Sequence, residues 1–201
     1  NDIGTPNLMT YQDFQIGANE YLFDGGYILN GDISKVFEVD ENLITEEATR
    51  SWYKNDAPLH PYDGDTTPNY TGFKDAKTLN AKGEMEESKV FDIAGKYSWI
   101  KAPRYNSLPM QVGPIANIVV NYVKGNKNVV PVVDKFLAET GLPVSAVLST
   151  LGRTACRMIE AKIIADNALK ALNNLIENLK VDDSTCAKYQ IDANKEYKGR
   201  F

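Results

Sequence analysis

Histidine and cysteine are nearly missing from this sequence, and each scarcity closes off a class of chemistry. A single histidine, His60, cannot by itself supply a multi-histidine metal site. The two cysteines, Cys156 and Cys186, form neither a metal pair nor a redox C-x-x-C. Cys156 lies in an apolar helical pattern and reads as a buried, inert thiol; a disulfide to Cys186 fits the count, but nothing requires one. Positive charge is short as well. Lys and Arg number 22 against 27 Asp and Glu, a net charge of -5, which argues against nucleic acid as the main partner. No apolar run approaches the roughly 20 residues that span a bilayer, and the opening stretch NDIGTPNLMTYQ lacks the basic-then-apolar pattern of a secretory leader. There is no P-loop, no G-x-G-x-x-G, no H-E-x-x-H and no nucleophile elbow.

What is present is an ordinary globular composition. Hydrophobic residues make up 43% and charged residues 24% of a chain of 201, enough for a substantial core. The pattern predicts an α+β fold, mainly helical, with an irregular N-terminal half of short strands and a long-helix bundle in the C-terminal half. The division falls into residues 1–110 and residues 111–201.

In the first part, NLMTYQDF (7–14) and SKVFEVD (34–40) alternate well enough for short strands, with turns at Gly25-Gly26 and Asn30-Gly31. Asp40 is placed to cap a short helix through ENLITEEATRSWY (41–53), which would hold Glu46 and Glu47. From Lys54 to Lys96, prolines and glycines punctuate a stretch that reads as loop, with AKGEMEESK (81–89) as a surface excursion. In the second part, Pro114 and Gly125 bracket one helix, and Gly141 closes another in which Pro131 fits only the first turn. Ser145 is placed to cap a third helix running to about Lys180, roughly 50 Å long. Its apolar stripe passes through 148, 151, 155, 158, 165, 169, 172, 176 and 179, with Ile159 and Ile163 beside it. Gly152, costly inside a helix, marks a kink or a close backbone approach.

Chemistry-bearing candidates are few. His60 has Asp63 and Asp65 nearby, so an acid/base role is conceivable; a histidine bonded to backbone in a proline-rich turn is the plainer reading. A hydrolase built on His60 and Asp63 lacks a nucleophile and an oxyanion feature. Arg153 and Arg157, four apart on one helix face, suit an anion or, more plainly, structural ion pairs, as does Arg104. The decamer KYSWIKAPRY (96–105) gathers three cations and three aromatics without an acid, and the simplest account is a core-forming loop with snorkelling cations.

Five segments in this order and spacing carry more than any one of them: RSWYK (50–54), LHPYDGDTTPNYTG (59–72), KYSWIKAPRY, MQVGPIA (110–116) and LSTLGRTACR (148–157). The series resembles the large, catalytic subunit of the nickel–iron hydrogenases, in particular the membrane-attached uptake type, over nearly the whole chain. Two positions depart from the family's habit, Arg50 where histidine is usual and Gln111 where glutamate is frequent.

The resemblance implies a central fragment of a longer subunit. The four cysteines that hold the family's nickel and iron lie in C-x-x-C motifs absent from this sequence, so Cys156 and Cys186 are not ligands, no metal ligand is assigned, and the chain alone binds no metal and does not turn over hydrogen. Its end on Phe201, with no terminating feature, reads as the edge of a longer protein. In the family, positions matching Glu46 and Lys101 lie around the water shell of a magnesium site below the bimetallic centre. The resemblance further implies an iron–sulfur small subunit, a membrane cytochrome subunit and the periplasmic side of the cytoplasmic membrane. For the isolated chain it predicts uncovered apolar helix faces, with the stripe at Leu148, Leu169 and Leu172 finding a substitute partner either within a rearranged chain or by self-association. The alternative is a non-enzymatic helical interaction module derived from the same family.

Overall fold

Leu8, Phe23 and Ile28 have no measurable exposure and mark where the N-terminal strands close on the helices. The computed structural model of the chain describes residues 5–54, 57–64, 66–92, 94–182 and 191–197, so Asp65 and Cys186 lie outside the described residues. These form eight strands and three α-helices, an α+β arrangement. The strands pair as four separate antiparallel ribbons: β1 (Leu8–Thr10) with β4 (Gly26–Ile28), β2 (Asp13–Gly17) with β3 (Glu20–Phe23), β5 (Ile44–Glu47) with β8 (Ala102–Tyr105), and β6 (Phe73–Leu79) with β7 (Met85–Phe91). The chain divides into two units, Asn1–Glu160 and Ala161–Phe201.

In the first unit, α1 (Pro114–Lys124) is the central element and packs on β1 and β4. It begins on Pro114 and ends on Gly125 in the left-handed region, and it buries Ile115, Ile118, Val119 and Val120. Asn121 is buried among them, yet its amide is fully used. Its Oδ1 accepts from the Asp24 N–H at 2.7 Å and its Nδ2 donates to the Asp24 carbonyl at 3.1 Å, which removes the cost of an unpaired polar group. The second helix, α2 (Val130–Thr140), carries Pro131 in its first turn and closes on Gly141, as its sequence predicts. Among the described residues no helix is long and apolar enough to cross a membrane.

In the first part three expectations are corrected. The segment after Asp40 is not a helix: Asp40 does cap, accepting from Asn42 N–H at 3.0 Å, but only a single 3-10 turn, Glu41–Leu43, follows before β5 begins. Pairing with β8, some sixty positions away, supplies β5 with backbone partners that a lone helix of this length could not match. The supposed loop between Lys54 and Lys96 contains the longest hairpin, β6–β7. Its sequence hid it because charged residues occupy both strands, as in the cross-strand pair Asp75–Lys89 at 3.7 Å. SKVFEVD contributes an isolated bridge, Tyr27 to Phe37, not a strand.

The third helix, α3 (Thr150–Leu179), starts later than predicted. Residues Val144–Leu148 form a 3-10 turn, and Ser149, not Ser145, caps the helix by accepting from the Gly152 N–H at 3.0 Å. The buried positions of α3 are Gly152, Cys156, Ile159 and Ile163, whereas Leu151 and Met158 are 82% and 66% exposed. Gly152 explains the rotation. A Cβ there would overlap the Val147 carbonyl, so the missing side chain lets this face close on the preceding turn. In the second unit, Leu169, Leu172, Leu175, Ile176 and Leu179 are exposed.

Candidate functional site

The decamer 96–105 docks along residues 50–53, and the two segments account for each other's composition. Trp52 N–H donates to the Ser98 carbonyl at 2.9 Å, Tyr97 N–H to the Arg50 carbonyl at 3.0 Å, and the Tyr53 hydroxyl to the Trp99 carbonyl at 3.1 Å. The Trp52 ring is the hub of an aromatic cluster. It stacks on Tyr70 at 4.8 Å and Phe73 at 5.7 Å and meets Trp99 edge-on at 5.1 Å; such pairs each add about 0.5–1.5 kcal/mol beyond burial.

The cations divide their work. Lys96 Nζ donates to the carbonyls of Ser51 at 2.8 Å and Tyr53 at 3.0 Å, tying the two segments together. Lys101, just before β8, reaches Glu46 on β5, Nζ to Oε2 at 3.3 Å, with the two side chains 13% and 31% exposed. The Tyr53 ring lies 5.0 Å from the same ammonium. Two antiparallel strands therefore bring together Glu46 and Lys101, and their half-burial strengthens the attraction between them.

The 59–64 turn closes the third side. Glu46 N–H donates to the Leu59 carbonyl at 2.7 Å, and Gly64 presents no side chain towards the ion pair. His60 keeps a backbone role here: its Nδ1 accepts from Tyr62 N–H at 3.2 Å, and its ring stacks on Tyr62.

The arginines do not make the ion pairs expected of them among the described residues. Arg104 donates to the carbonyl of its neighbour Pro103 at 2.9 Å; hydrogen bonds from Thr49 hold Glu47 below the ordinary glutamate value, and the charge of Arg104 adds a smaller contribution. Arg153 Nε meets Gln111 Oε1 at 2.8 Å, an amide oxygen instead of a carboxylate, because glutamine occupies that position; its Nη1 is buried with no acceptor among the described residues. Arg157 is exposed and makes no ion pair with a described residue. Missed by the sequence were Tyr53, Gly64 and Lys96, which only the pairing of distant segments brings to one place.

Among the described residues no three His, Cys, Asp or Glu side chains lie close enough to hold an ion. Cys156 is fully buried, and burial, with a smaller contribution from Glu160, pushes its thiol up to about 11.

Comparison with known proteins agrees along the whole chain. A family model described as "Nickel-dependent hydrogenase" matches residues 1–201. The chain is 52% identical over 195 residues to the quinone-reactive Ni/Fe-hydrogenase large chain of Wolinella succinogenes, covering 97% of this chain and 34% of that protein. To the uptake hydrogenase large subunit of Rhizobium leguminosarum it is 40% identical over 192 residues, covering 90% and 31%. The chain thus spans about a third of the length of these relatives. Among solved structures it resembles the [NiFeSe]-hydrogenase of Dm. baculatum (TM-score 0.63, 27% identity, 86% of this chain and 32% of that one). It also resembles that of D. vulgaris Hildenborough in the reduced state (TM-score 0.64, 25% identity, 94% and 35%). A match that runs from the first residue to the last and includes the ribbon carrying Glu46 and Lys101 leaves one assignment: the chain belongs to the nickel-dependent hydrogenase family.

Proposed function

We propose that this chain is the central part of the large subunit of a nickel–iron hydrogenase that oxidises hydrogen, splitting it heterolytically and releasing protons and electrons. The observation that carries this reading is the 52% identity to the Wolinella large chain over 97% of the residues. Residues 1–110 and 111–201 are both parts of one larger large-subunit fold. Electrons would leave through an iron–sulfur small subunit and a membrane cytochrome subunit, at the periplasmic side of the cytoplasmic membrane.

The residues described do not build a nickel–iron or magnesium cage, so these centres would be held by the rest of the subunit. What this chain supplies is scaffold and an ordered charge pair. Lys101 and Glu46 are the residues proposed to border the water shell of the magnesium site. Held by each other, by the Tyr53 ring and by the 59–64 turn, they offer a fixed donor and a fixed acceptor to ordered water. The rigidity is the point. An ammonium that already has a carboxylate and an aromatic face needs little reorganisation when a neighbouring proton moves.

The test is made in the intact large subunit assembled with its partner. Lys101→Met and Glu46→Gln each lower hydrogen oxidation by about 10–100-fold, the range typical of residues that support a metal's ligands, while nickel per subunit stays at the wild-type level. Wild-type turnover in both variants would remove these residues from the proposed function.

A further inference from the structure

Gly64 stands where a side chain would have to share space with the Lys101–Glu46 pair. A Cβ at this position would lie 3.1 Å from Lys101 Nζ, 3.4 Å from Glu46 Oε2 and 3.6 Å from the Pro61 carbonyl oxygen. Gly64 is not among the glycines with positive φ, so its backbone conformation is open to any residue. The close contact with Lys101 Nζ, not the backbone, is what a side chain here would strain.

The turn has little freedom to back away. Its start is bonded to β5 through Glu46 N–H and the Leu59 carbonyl at 2.7 Å. Within it, Asp63 N–H donates to the His60 carbonyl at 2.8 Å and Tyr62 N–H to His60 Nδ1 at 3.2 Å. The ammonium is confined on other sides by Glu46 and by the ring of Tyr53.

We propose that Gly64 is the positioning residue for the Lys101 ammonium: its missing side chain lets the 60–64 turn close over the ion pair and keep its two charged atoms in contact. The inference rests on the role proposed above for Lys101 and Glu46, and Gly64 acts only through them. A methyl group at 64 makes the ammonium give way by a few tenths of an ångström and loosens its contact with Glu46. The backbone stays as it is, so the effect reads out on the charge pair and not on the loop.

A double-mutant cycle in the intact large subunit with its partner tests this, comparing wild type, G64A, K101A and G64A/K101A by hydrogen-oxidation turnover and thermal midpoint. G64A lowers turnover by about 10-fold, as small misplacements near reacting groups do, and lowers the midpoint by a few degrees. On the K101A background it does neither, because the group it collides with is gone. If G64A fails to fold, a folded G64A/K101A protein carrying only the K101A defect gives the same support.

Equal losses on both backgrounds, or a double variant that also fails to fold, would overturn the proposal while leaving the function of Lys101 intact. If K101A turns over at the wild-type rate, the functional role of Lys101 fails instead. The thermal cycle then decides the positioning alone, coupling supporting it and additivity overturning it.

Discussion

Thr49 holds Glu47 in its ionised form. The Thr49 hydroxyl and its backbone N–H both donate to Glu47 Oε1, the latter at 2.8 Å, and the charge of Arg104 adds to them, so the carboxyl titrates below the ordinary glutamate range. A depressed folded value contributes stability that is present above the unfolded value and lost as pH falls through the folded one. Thr49→Val therefore lowers the thermal midpoint at pH 7 and leaves it unchanged at a pH below both values. A pH series of thermal unfolding checks this; an equal loss at every pH would assign Thr49 to packing. Glu46, one residue earlier, faces the other way along the same strand and meets Lys101. Its adjacency to Glu47 was legible in the sequence. That the divergence comes from a strand and not a helix was not legible, because the strand exists only through its pairing with β8.

At the scale of elements, glycines and caps set the helices while long-range pairing sets the strands. Gly152 is the clearest case: the sequence marks it as out of place in a helix, and the structure supplies the reason in the Val147 carbonyl that a Cβ would overlap. Gly152→Ala costs about 1–3 kcal/mol, the usual range for overpacking against a backbone that cannot yield. Chemical unfolding of the chain and its variant measures it. A cost near zero would mean the 3-10 turn at Val144–Leu148 shifts freely. The helices α1 and α2 were readable because their proline starts and glycine stops are local signals. The hairpin β6–β7 was not, since its strands carry charge on exposed positions of both sides and no single apolar face declares the period.

For the molecule as a whole, the second unit carries an apolar stripe that is left exposed. Leu169, Leu172, Ile176 and Leu179 recur in steps of three and four and are 44–61% exposed, the spacing of a helix–helix seam. We propose that the isolated chain self-associates through this stripe. Light scattering coupled to size exclusion reads its mass as a dimer or larger, and Leu169→Glu with Leu172→Glu returns it to monomer. A monodisperse wild-type monomer would contradict this.

Taken alone, the sequence determined the family, the α+β class, the positions of α1 and α2 and the burial of Cys156. Each of these depends on local periodicity, on capping residues or on ordered short segments, which a linear text preserves. Tertiary structure alone decided which face of α3 turns inward, that residues 44–47 are strand, and that Tyr53, Gly64 and Lys96 gather around the segment of Glu46 and Lys101. Those outcomes follow from close approach between groups far apart in the chain, a physical quantity that composition and spacing do not encode.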